Sequence, residues 1–86
     1  MQLRVLDEVI EMGGLGIALL WMENSGDVRP YAGMRIRDAR GNEHEVASVS
    51  AQDDVMILHI PEGDADYFGR LMRDIRVDAT LFEEVR

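Results

Sequence analysis

Apolar and polar residues in this chain change places over short stretches, not along long helical stripes. Met34 to Asp38 sets Met34 and Ile36 against Arg35 and Arg37, the period of a half-buried strand. Val55 to Ile60 is almost wholly apolar. Ile17 to Glu23 is rich in Ile, Leu and Trp, has no helix cap, and lies between Gly16 and Gly26. Glu43 to Ala51 holds Val46 and Val49, an odd spacing that breaks period two and predicts a bulge near Ala47-Ser48. Val77 to Val85 reads as a last strand. Leu3 to Met12 is ambiguous: Leu3, Leu6 and Ile10 fit one helical stripe, and Val5, Val9 and Met12 another. We read it as a strand with an irregularity near Asp7-Glu8.

Between these runs stand clusters of turn residues: Gly13-Gly14 with Gly16, Asn24-Ser25-Gly26, Pro30 to Gly33, Arg40-Gly41-Asn42, Gln52-Asp53-Asp54 and Pro61-Glu62-Gly63. They recur about every 8–12 residues, as short strands joined by turns require. Asp38 to Asn42 reads as a tight hairpin turn, with Gly41 for a positive φ and Asp38 bonding the turn backbone. After Pro61, Asp64 is a helix N-cap, and Tyr67, Phe68, Leu71 and Met72 form an apolar stripe. Gly69 weakens this helix, and Arg73 complements its C-terminal dipole. The expected fold is an all-β, six-stranded antiparallel barrel with one short helix, residues 1–86 forming a single domain.

Composition narrows the function. The 86 residues are 47% hydrophobic, enough for a packed core, and have room for one site. Arginine is the only basic residue apart from two histidines, and the net charge is −8, so phosphates repel the chain unless a local basic patch overrides the global sign. The absence of cysteine removes disulfides, thiolate metal sites and thiol nucleophiles. The longest apolar run, Ile17 to Met22, is too short to cross a bilayer, and Asp7 and Glu8 interrupt what would be a signal peptide. The expected address is the cytoplasm.

Three stretches carry a family pattern. Gly14-Leu15-Gly16, Ser25-Gly26-Asp27-Val28-Arg29 and Gly33-Met34-Arg35-Ile36 follow one another at characteristic spacing. Glu45 to Val49 and the apolar Val55 to Ile60 come after them. This resembles the second, β-barrel domain of elongation-factor-Tu-type translational GTPases, with Gly16, Gly26, Val28, Gly33 and Ile36 in matching places. The resemblance implies a barrel and, in that family, contact with aminoacyl-tRNA or other partners. It carries over no binding residue. The chain has no lysine and no phosphate-binding loop of the GTPase kind, and Asp64 to Arg73 looks like an addition to the family's barrel.

Candidate chemistry is sparse. Gly13 to Gly16 precedes a strand, which makes it a turn and not a phosphate loop. His44 and His59 are the weak metal candidates: were Val46 to lie opposite His59, the two rings would be diagonal neighbours on one face. Ser48 or Ser50 with His59, oriented by Asp53 or Asp54, would be the dyad of a small hydrolase, but neither serine has a sharp turn to expose it. The expectation is no enzyme, no cofactor and no metal. Arg29, Arg35, Arg37 and Arg40 would be the patch of an RNA-associated accessory barrel.

The apolar surplus says most. Ile17, Leu19 and Trp21 occupy one face of their strand, Ala18, Leu20 and Met22 the other, and Val55 to Ile60 repeats the situation. A small barrel has one inside. The second apolar face needs a cover: the Tyr67–Met72 helix, the N-terminal segment, or another chain. The leading expectation is a non-enzymatic interaction module, working through a protein partner or as a homodimer. Its contact residues would be Trp21, Met22, Leu20, Tyr67 and Phe68.

Overall fold

The computed structural model describes residues 1–22, 28–74 and 80–85. The expected turn at Asn24-Ser25-Gly26 and the start of the expected last strand lie outside these. The fold is mostly β, with eight strands and one α-helix among the described residues. The strands are β1 (Gln2–Arg4), β2 (Val9–Glu11), β3 (Ile17–Met22), β4 (Arg35–Arg37), β5 (Glu43–Glu45), β6 (Ser48–Gln52), β7 (Val55–Ile60) and β8 (Leu81–Val85). A short 3-10 turn, Gly13–Leu15, joins β2 to β3, and the helix α1 (Ala65–Asp74) follows β7.

Two antiparallel sheets result, in the orders β1-β8-β4-β5 and β2-β3-β7-β6. The expected closed six-stranded barrel does not form. Two of the six expected strands each break in two at a corner. At the first corner the Val5 N–H bonds Thr80 beside β8, while the next N–H, of Leu6, bonds Leu20 in β3. The irregularity near Asp7-Glu8 belongs to this corner, where the Glu8 N–H closes on the Leu6 carbonyl. At the second corner Val46 pairs with Gly33 and Met34, and the next N–H, of Ala47, bonds His59 in β7. Ser48 also lies opposite His59, so Ala47-Ser48 is a bulge, as the spacing of Val46 and Val49 predicts. A bulge bends and twists its strand, which hands the chain from one sheet to the other.

One core serves both sheets. Leu3, Ile36 and Phe82 enter it from the first, and Ile17, Leu19, Trp21, Leu58 and Ile60 from the second. The helix begins as the sequence suggests. The Asp64 side chain accepts the Asp66 N–H at 3.0 Å, the bond of an N-cap. Phe68 and Leu71 are fully buried in the same core, and α1 lies beside β2. Gly16 sits where the 3-10 turn enters β3, at φ 93°, with the Ile60 carbonyl and Pro61 occupying the space a Cβ would take.

Candidate functional site

The two sheets present unlike outer faces. On the first, Arg35 pairs with Glu43 at 3.4 Å, and Arg37 reaches Glu43 at 3.9 Å and Glu83 at 3.6 Å. On the second, the register lines up Ile10 with Ala18, Leu20 with Ile57, and Met22 with Val55. Ser48, Ser50 and Gln52 of β6 complete this face beside His59, Ile57 and Val55. Its centre is apolar and partly open: Met22 is 44% exposed, Ile10 38%, and Leu20, Val55 and Ile57 are half-buried. A shallow groove of about 340 Å³ runs between Ile10, Leu20, Val55, Ile57 and the Gln52-Asp53 turn. The helix does not cover it, because α1 spends its apolar stripe inside the core. Such a face leaves several large apolar side chains in part against water.

The residues expected to anchor a partner divide accordingly. Leu20 and Met22 lie on the open face. Trp21 is 4% exposed and Phe68 is fully buried, so in the folded chain neither offers surface. Tyr67 is half-buried at the opposite hairpin. The physical reason is parity along β3: Trp21 shares its face with Ile17 and Leu19, which point inward. Ile10 belongs to the open face through a register that the ambiguous first segment hides.

A second arrangement centres on Asp38, whose carboxylate is fully buried at the β4–β5 hairpin. One oxygen accepts the N–H groups of Arg40 and Asn42 at 2.8 and 3.1 Å, the turn bonding the sequence suggests. The other takes the Tyr67 hydroxyl at 2.5 Å and His44 Nε2 at 2.7 Å. Asn42 Nδ2 in turn donates to the Tyr67 oxygen at 2.7 Å. Burial pushes the Asp38 carboxyl up, but the bonds from Tyr67, His44, Asn42 and Arg40 together outweigh it and hold it below the ordinary carboxylate value. Burial, and after it the bond to Asp38, pushes the Tyr67 phenol above its usual value. An ionised Asp38 only accepts, so His44 carries its proton on Nε2. The His44 ring also packs on Phe68, with centroids 4.6 Å apart. The cluster therefore clamps α1 to the hairpin.

The other candidates are dispersed. The corner at Val46 puts His44 in the first sheet and His59 in the second, opposite Ser48 and not Val46, so the two rings are not diagonal neighbours. His59 Nε2 is 2.6 Å from the Leu15 carbonyl. Among the described residues no group of three His, Asp or Glu side chains gathers as metal ligands, and no serine or threonine hydroxyl bonds either histidine. Arg35 and Arg37 share an outer face, as expected, but interleave with Glu43 and Glu83. Arg29 stacks over Trp21 and Arg40 over Tyr67, each 5.9 Å from the ring centroid. No helix of the described residues is long and apolar enough to cross a membrane.

No protein-family model matches the chain, and no curated protein or solved structure matches it either. The site's own geometry therefore carries the functional reading.

Proposed function

We propose that this protein is a non-catalytic interaction module that meets a protein partner through the outer face of β2-β3-β7-β6. One observation supports this above the rest: Ile10, Leu20, Ile57, Met22 and Val55 lie side by side and partly open around a buried Ala18, while the matching face of the other sheet is a lattice of ion pairs. Burying such a face against another chain is the ordinary driving force of association. Among the described residues no serine or threonine hydroxyl joins the Asp38 cluster, and its bonds serve to hold α1. An RNA-binding reading has less support, because Glu43 and Glu83 offset the charge of Arg35 and Arg37.

The test is the double substitution Leu20→Thr with Ile57→Thr. Threonine has the β-branched shape a strand favours and carries less apolar surface than leucine or isoleucine. Light scattering on the purified protein and affinity capture from native extract, each run on both forms, should show a self- or hetero-association that the double variant loses. Association retained by a folded double variant overturns the proposal.

A further inference from the structure

The same sheet has one edge unlike the others. Edge strands invite pairing, and proteins blunt them by shortness, charge or cover. β1 has three residues and ends in Arg4. β5 has three residues, two of them glutamates. β2 has three residues and lies beside α1. β6 has five, Ser48-Val49-Ser50-Ala51-Gln52, with no charge and no proline, and all but Val49 are exposed.

Its backbone is available. Gln52 and Val55 flank the two-residue turn Asp53-Asp54, which makes them a hydrogen-bonded pair, and pairs alternate along an antiparallel ladder. Ser48, Ser50 and Gln52 therefore bond β7, and the peptide groups of Val49 and Ala51 point away from it. Among the described residues these donors and acceptors have no strand partner, and they border the apolar face. Acidic residues stand at one end of this neutral strand, where Asp53 and Asp54 follow it; Glu45, before the corner, belongs to the other sheet and lies opposite Arg35.

Resting on the interaction reading above, we infer that the β6 edge takes an extended peptide segment of the partner as an added strand. The segment has a β-forming, uncharged centre of about five residues, roughly 17 Å, with Lys or Arg at the end that meets Asp53 and Asp54. Charge complementarity selects this occupant over a second copy. Two β6 strands paired antiparallel about Ser50 would set Asp53 and Asp54 opposite Ala47 and Val46, with no basic residue to meet them, and each chain carries a net charge of −8.

A synthetic peptide with alternating Val and Thr at its centre and Lys-Arg at each end is the probe, and its twin with Glu at each end is the control. Amide hydrogen exchange and backbone NMR shifts on the full chain report binding. The cationic peptide should protect the Val49 and Ala51 amides, and the acidic twin should not. Ala51→Pro deletes one outward N–H without touching the ladder to β7, and should weaken binding about tenfold or more. Asp53→Asn with Asp54→Asn leaves the backbone edge intact, and should weaken binding several-fold and flatten its salt dependence. Equal binding of both peptides, or absence of binding, overturns the inference. So does unchanged affinity in a folded Ala51→Pro. Shifts at Leu20 and Ile57 with unprotected Val49 and Ala51 amides overturn edge pairing while leaving the apolar face as the contact. Concentration-dependent protection without peptide makes the second copy the occupant and also overturns it.

Discussion

Asp38 shows how much one side chain can organise in a small domain. Its turn-bonding oxygen is legible in the sequence, since an aspartate before Arg-Gly-Asn at a hairpin has one common use. The other oxygen is not, because Tyr67 lies 29 residues away and reaches it only after α1 has packed. The clamp has a pH signature. The Asp38 pKa is lower folded than unfolded, so its contribution is complete above the unfolded value near 3.8 and is lost as pH falls through the folded one. Urea denaturation should show stability declining below about pH 4, and Asp38→Asn should flatten that decline. Tyr67→Phe removes a charge-assisted donor and should cost about 1.5–3 kcal/mol at neutral pH, read from the same titrations. Gly16 is the other decisive single position. Gly16→Ala forces a Cβ into a left-handed backbone and against the Ile60 carbonyl, and should cost at least about 2 kcal/mol by thermal melting.

At the scale of elements, the clearest signals were local ones. β7 spans Val55 to Ile60, the residues whose apolar run and flanking turns mark it. Asp64 caps α1, and the bulge at Ala47-Ser48 follows from the spacing of two valines. Strand ends and breaks were harder to read. The residues of Leu3 to Met12 and Glu43 to Ala51 are consistent with unbroken strands, because the sheet that each half joins depends on distant partners at Thr80, Leu20, Met34 and His59. The helix permits a clean test of local propensity. A Cβ at Gly69 meets nothing within 4 Å, so Gly69→Ala should stabilise the fold by about 0.5–1 kcal/mol, raising the melting temperature by a few degrees.

At the scale of the molecule, two sheets around one core leave two outer faces, and they have diverged. Ion pairs among Arg35, Arg37, Glu43 and Glu83 keep one face at home in water. The other keeps Ile10, Leu20, Met22, Val55 and Ile57 at its surface, at a free-energy cost that burial against a partner would recover. For Leu20→Thr with Ile57→Thr, the expectation is lost association with the fold intact, since both side chains are only half-buried. The acidic rim at Asp53 and Asp54 adds that any association with a cationic partner weakens as salt is raised.

The chain's own pattern determined that this is a β-rich domain with one capped helix, and that it holds more apolar strand surface than a single inside can bury. Both follow from period and turn chemistry, which act over a few residues. Tertiary structure alone decided which apolar face stays open, that Trp21 and Phe68 fill the core instead of greeting a partner, and that His44 and Tyr67 meet at Asp38. Those outcomes depend on where two strands bend between sheets, and a bend is set by hydrogen bonds to residues far along the chain.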